Sequence, residues 1–138
     1  MKIMVCILIA CSVMMAEFVK KDDTVLDTKS KLVWQDNSAV ESKEMLFSEA
    51  NLYCKQLSLA GYNNWRLPTL RELQNIVDLK RHDPAISRTF EYTGRGNHWS
   101  STPYVDDSIR GWAVDFKSGS TSHNRHSYDY YVRCVRGK

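Results

Sequence analysis

The stretch Trp65-Arg66-Leu67-Pro68-Thr69 leaves the chain very few local structures. Trp65 and Leu67 alternate as in a half-buried strand, Pro68 cannot continue it, and Thr69 is placed to cap a helix beginning at the next residue. Thr69-Leu70-Arg71-Glu72 has the pattern of a capping box: the Thr69 hydroxyl takes an early backbone N–H, and Glu72 reaches back to the cap. Leu70, Leu73 and Val77 give the resulting second helix an inward stripe. A buried extended segment therefore turns into a helix at Pro68.

The flanking sequence extends this pattern. A first helix is predicted from about Lys43 to Leu59, capped by Ser42 and ended by Gly61, because Leu46, Ala50, Tyr53, Cys54 and Leu57 share one helical face. Residues 17–24 read as a polar lead-in, the polar character runs on to Ser30, and Leu32-Val33-Trp34 is a short strand. After Asp83-Pro84 and a loop from Glu91 to Asn97, Trp99 opens a strand ending near Thr102-Pro103. Trp112, Val114 and Phe116 alternate with Ala113, Asp115 and Lys117, the period of a strand, and Lys117–Ser120 is a turn. Thr121 to Asp129 is polar, with Tyr128 its one apolar anchor, and reads as an exposed loop. Tyr130–Arg136 is a last strand with Val132 and Cys134 on one face and Tyr131, Arg133 and Val135 on the other. With 138 residues there is room for one core, so residues 25–138 are expected to form one α+β domain, two early helices packed on antiparallel strands. Trp99 and Trp112 are assigned to its interior.

Residues 1–16 have a different character. Met1-Lys2 precedes an apolar run from Ile3 to Cys11, and Ser12–Ala16 leads to the polar Glu17, the pattern of an export signal cut after Ala16. Ile3–Ala16 is 14 residues, short of the roughly 20 that a membrane-spanning helix needs. Leu8-Ile9-Ala10-Cys11 also resembles a lipoprotein signal and ranks second; only lipidation at Cys11 would hold the protein on a membrane. The expected location is periplasmic or extracellular. Beyond this segment only Cys54 and Cys134 remain, and they read as one disulfide or, alternatively, as two buried thiols.

Charge narrows the ligand class without fixing it. The chain carries a formal +3; residues 80–138 hold 10 Lys/Arg against 6 Asp/Glu. That tolerates an acidic ligand and is far too weak for nucleic-acid binding. His123, His126 and Asp129 are ligand types suited to zinc, and Asp106-Asp107 to a hard cation, but both groups read better as solvated polar segments, so no metal or cofactor is expected. No Gly-x-Ser-x-Gly context supports a hydrolase, and no enzymatic activity is expected. Tyr104, His123, Asn124, Arg125, His126 and Tyr128 instead place aromatic and cationic groups where the core does not need them, as a surface for a polysaccharide or a surface protein would.

Several separated motifs together resemble one family. Leu32–Asn37, Ala50–Cys54, Leu59–Tyr62, Trp65–Thr69, Glu72-Leu73, Pro84–Ile86, Trp99–Thr102, Phe116 with Gly119, and Arg133–Arg136 are similar, in order, to the bacterial domains typified by the C-terminal domain of the Legionella collagen-like adhesin. Those domains are relatives of the C-type-lectin-like fold. The likeness covers about residues 25–137, with Phe47 near a position where such domains often carry Trp. The resemblance implies a lectin-like α+β domain whose first helix is joined to its last strand by a Cys54–Cys134 disulfide. It also implies adhesin-type binding of acidic or sulfated glycans, with a cell-envelope protein-interaction or structural module as the alternative. The Arg-Leu-Pro-Thr stretch is also similar to one in formylglycine-generating sulfatase modifiers, but their reactive cysteine pair is missing, since Cys134 stands alone in the C-terminal part. The Glu-Pro-Asn, Gln-Pro-Asp and Trp-Asn-Asp tripeptides of calcium-dependent lectins are also missing from the sequence.

Overall fold

The structure, a computed structural model, describes Val5, Ile7 and residues 17–138. Apart from Val5 and Ile7, the expected export signal, Cys11 included, lies outside the described residues. In chain order the elements are β1 (Phe18–Lys21), β2 (Thr24–Asp27), β3 (Val33–Gln35), α1 (Ala39–Ser42), β4 (Glu44–Met45), α2 (Phe47–Gln56), α3 (Leu70–Asn75), β5 (Asn97–Pro103), β6 (Arg110–Asp115), β7 (Ser120–Arg125), β8 (Tyr130–Tyr131) and β9 (Val135–Arg136). They form an α+β domain with two sheets, ordered β1-β2-β3-β9 and β4-β8-β5-β6-β7. All pairs are antiparallel except β5 with β8.

Two apolar clusters fill it. One joins Val25, Trp34 and Val135 of the first sheet to Leu73 and Ile76 near α3 and to Val114 and Phe116 of the second. The other gathers Ala50 and Cys54 of α2, Trp65, Leu67, Trp99, Ala113, Val132 and Cys134. Cys54 and Cys134 are bonded within this second cluster, across 80 residues of sequence. α3 begins as its capping box requires: Thr69 Oγ1 accepts from Glu72 N–H at 3.2 Å, and Glu72 Oε1 from Thr69 N–H at 2.9 Å. Burial works against the Glu72 carboxylate, but the Arg66 guanidinium and Thr69 overcome it and hold its pKa below the usual value.

Four expectations are corrected. The lead-in is a β-hairpin, turned at Asp22 in the left-handed region (φ 51°), which short polar side chains tolerate. The first helix starts later than Ser42, because Glu44–Met45 is drawn off to pair with Tyr130–Tyr131, and Glu49 closes the new start by accepting from Leu46 N–H at 3.0 Å. It also ends earlier, at Gln56, so Gly61 (φ 81°) serves the Leu59–Tyr62 turn instead of the helix. The last strand is broken between β8 and β9, because Val132, Arg133 and Cys134 all turn into the interior.

Arg133 is the reason for that break. Its side chain is fully buried, donating to Gln35 O at 2.6 Å, Asp36 Oδ1 at 3.3 Å, Thr93 Oγ1 at 3.1 Å and Tyr92 O, with its guanidinium 4.8 Å from the Phe90 ring centre. Burial pushes its pKa down to about 10, with Asp36 opposing, so it stays charged at neutral pH. Asp36, also fully buried, takes Lys20 Nζ at 2.6 Å and the N–H groups of Glu91 and Tyr92 at 2.9 and 3.0 Å. Asp36→Asn should therefore lower stability by about 3–5 kcal/mol, since one partner of a buried pair is left uncompensated. Urea denaturation of the oxidised protein measures it, and a change under about 1 kcal/mol, on the order of a surface substitution, would show that the backbone acceptors alone hold Arg133.

His98 supplies a pH dependence. It is fully buried between Phe116 and Tyr131, with Nδ1 2.9 Å from Gly96 O and with Nε2 unpartnered. The contact makes Nδ1 the protonated nitrogen of a neutral ring. Burial first and the Arg133 cation second lower its pKa to about 3, against the opposing Gly96 bond. Below the unfolded value of about 6.5 the unfolded chain binds the proton that the native state refuses, so stability falls by roughly 1.4 kcal/mol per pH unit as pH drops toward 3. His98→Gln should remove about 2 kcal/mol of the stability difference between pH 7 and pH 5. Paired urea titrations read this, and an unchanged difference would assign the acid sensitivity to other groups.

Candidate functional site

The motifs Trp65–Thr69, Trp99–Thr102 and Arg133–Arg136 meet, and what they build is scaffold. Arg66 exchanges backbone hydrogen bonds with Val135 at 2.8 and 2.9 Å, while its guanidinium forks onto both Glu72 oxygens at 2.7 Å. Ser101 N–H donates to Pro68 O at 2.7 Å, and Thr102 Oγ1 accepts from Leu70 N–H at 2.9 Å, satisfying a free donor at the start of α3. Ser100 Oγ donates to Trp112 O at 2.6 Å, pinning β5 to β6. Arg136 lies over the Tyr62 ring at 3.6 Å and donates to Asn64 Oδ1 at 3.0 Å. The polar side chains of these stretches are thus largely spent on holding the strand–turn–helix junction against β5 and β9.

Of the residues expected to bind ligand, His123, Asn124 and Arg125 are placed by β7, so the exposed-loop expectation is corrected for Thr121–Arg125, while residues 126–128 do form a turn. Ser120–Arg125 pairs residue for residue with β6, from Asp115↔Ser120 to Arg110↔Arg125. The segment lacks apolar residues because it is an edge strand whose order comes from the backbone ladder. Strand alternation then divides the expected residues between two faces. His123 and Arg125 share a face with Trp112 and Arg110 opposite them. Asn124 and His126 face the other way, where the His126 ring stacks on Phe47 at 4.1 Å and leaves a buried Nε2 without a partner. Tyr128 belongs to that second side too, stacked on Tyr130, which in turn lies 4.5 Å from Trp99.

Face one has the geometry of a platform. Tyr104, just past β5, lies flat on His123 with ring centres 3.9 Å apart and planes 3° from parallel. Trp112 meets both rings edge-on, at 5.6 and 5.3 Å. Trp112 is half-buried, so the interior assignment holds fully for Trp99 and not for it. Arg110 Nη1 reaches His123 Nδ1 and O, both at 3.4 Å, and its Nε has one loose carboxylate contact, Asp107 at 3.6 Å. Arg125 is exposed, directly opposite Arg110 in the ladder, and makes no ion pair among the described residues. Two like charges facing each other across a strand pair are unfavourable unless an anion lies between them. Arg110 escaped the sequence reading, although its place two residues before Trp112 puts it on the same face.

Chemically the surface can stack a flat or C–H-rich ring and pair an oxyanion. His123 and His126 point to opposite faces, so they do not converge with Asp129, and among the described residues no three His, Cys, Asp or Glu side chains stand together as metal ligands would. Among the described residues, too, no helix is long and apolar enough to cross a membrane.

Comparison with curated proteins finds no match. The sequence profile of the Lcl C-terminal domain family matches residues 23–136, a span that takes in every element from β2 to β9 and both halves of the disulfide. The chain belongs to the Lcl C-terminal domain family.

Proposed function

We propose that this is an exported, non-enzymatic, adhesin-type binding domain that takes acidic or sulfated glycans on the platform formed by β6, β7 and Tyr104. Family membership supports the adhesin-type reading. The Cys54–Cys134 disulfide supports a periplasmic or extracellular location, or a lipoprotein held through Cys11, since such bonds persist in oxidising compartments. The observation that carries the ligand class is the Tyr104–His123 stack beside the Arg110 and Arg125 guanidinium groups, whose one carboxylate contact among the described residues is Arg110 with Asp107 at 3.6 Å. A sugar ring offers its C–H face to the rings, and a sulfate or carboxylate on it takes the guanidinium forks.

A second reading, a protein-interaction module of the cell envelope, is favoured by the outer edge of β7, which pairs with no strand among the described residues and whose backbone groups suit an extended peptide. The two readings separate on salt. Glycan binding through exposed guanidinium groups weakens as salt rises, because such charges are screened over roughly 10 Å at 0.1 M; pairing along a strand edge does so far less.

Arg110→Ala with Arg125→Ala should shorten retention on immobilised heparin and elute at lower salt. Stability should change by about 0.5 kcal/mol or less at exposed Arg125 and by about 1 kcal/mol at half-buried Arg110. Tyr128→Ala, on the far face, should leave retention unchanged. Wild-type protein that passes through heparin at low salt, or a double variant that elutes with it, would count against the glycan reading.

A further inference from the structure

We propose a second, separate anion site in the cleft between residues 80 and 95, one that takes a small molecule bearing a phosphate or sulfate group. The cleft encloses about 670 Å³ and is bounded by Lys80, Arg81, Arg88 and Arg95. That is within the roughly 300–1,000 Å³ typical of small-molecule sites and far more than a bare ion fills. Three carboxylates also border it, and two are engaged: Asp83 with Arg95 at 3.6 Å and Glu91 with Lys20 at 3.6 Å. Glu41 is the third. Lys80, Arg81 and Arg88 make no ion pair and no side-chain hydrogen bond among the described residues, so three uncommitted cations face one uncommitted carboxylate. Positive charge gathered in a concave wall focuses the potential inward and draws an anion.

The walls are held in place before any ligand arrives. Asp83 N–H donates to Lys117 O and Ala85 N–H to Phe116 O, both at 2.7 Å, and Asp78 N–H to Ala85 O at 2.9 Å. Ile86 and Phe90, almost fully buried, form the floor. A frame of this kind spares a ligand the cost of ordering it. A tetrahedral oxyanion suits the rim, because it accepts from several guanidinium and ammonium groups at once. The cleft is anchored at the Phe116–Lys117 end of β6, whereas Arg110 stands at the other end. Six residues of strand separate the two by about 20 Å, so this site is independent of the platform.

Amide spectra of the ¹⁵N-labelled full chain, titrated with sodium phosphate and separately with sodium sulfate against a chloride background of constant ionic strength, test the proposal. The expected result is a saturable shift confined to residues 80–95, weakened at least about tenfold by Arg81→Ala with Arg88→Ala through loss of two charge-assisted contacts. It should be unaltered by Arg110→Ala with Arg125→Ala. The single variant Arg88→Glu provides the same reading should the double variant not fold. Tighter phosphate binding assigns phosphate monoesters and tighter sulfate binding assigns sulfate esters, and either supports the site. Shifts that grow linearly without saturating, or that persist undiminished in the cleft variants, would overturn it whatever happens on heparin.

Discussion

Everything in this fold is arranged around one carboxylate. Asp36 receives Lys20 from β1, two backbone N–H groups from the Glu91–Tyr92 loop and Arg133 from the C-terminal segment, so distant parts of the chain converge on two oxygens. An ion pair this deeply buried would be a poor source of net stability on its own, because desolvation offsets much of the attraction. Its value is placement. Arg133 also reaches Gln35, Tyr92 and Thr93, and Gln35 in turn accepts from Cys134 N–H at 3.0 Å, which sets the residue that closes the disulfide. The loop that leads into β5, and through it both sheets, is thereby tied to one point.

What could be read from the sequence followed physical rules of short range. The Thr69–Glu72 box, the inward face of α2 at Ala50 and Cys54, and the strand at β6 depend on neighbours within a few residues, and they hold in the structure, although β6 buries Ala113 as fully as Val114. The hairpin of β1 and β2 was hidden because its shielded positions include Lys20, Thr24 and Asp27, polar residues that give no apolar alternation; Asp36 takes Lys20, and local turn backbone satisfies the other two. β7 was hidden for a different reason: Ser-Thr-Ser-His-Asn-Arg holds no apolar residue, and its strand character comes from β6. Within the loop from Glu91 to Asn97, Gly94 is required by contact and not by a turn, since the Tyr131 ring lies where a Cβ would stand. Of the candidate site, the residue types were legible and the grouping was not, because which face a residue takes depends on a register that only pairing defines.

The motifs that identify the family and the groups able to bind a ligand are therefore largely different residues. Arg66, Glu72, Ser100, Thr102 and Arg136 are polar and motif-bearing, and the structure commits each to an internal contact. Arg125, Lys80, Arg81 and Arg88 belong to no motif and make no ion pair among the described residues. A division of this kind lets the scaffold hold its form while the exposed side chains of β6–β7 and of the cleft rim change their chemistry, since those side chains stand outside the core, unlike Ile86 and Phe90 beneath them.

The first sheet has a consequence for the order of events during folding. β3 is paired on one side with β2, close by in sequence, and on the other with β9, whose register joins Val33 to Arg136. Until residues 133–136 are in place that sheet has an open flank, Trp34 lacks Val135 beside it and Asp36 lacks the Arg133 cation. Such non-local closure is slow, because the loop between β3 and β9 must be closed before their contacts form. The N-terminal sheet is thus completed by the residues furthest from it in sequence, so the two ends of the domain become ordered together.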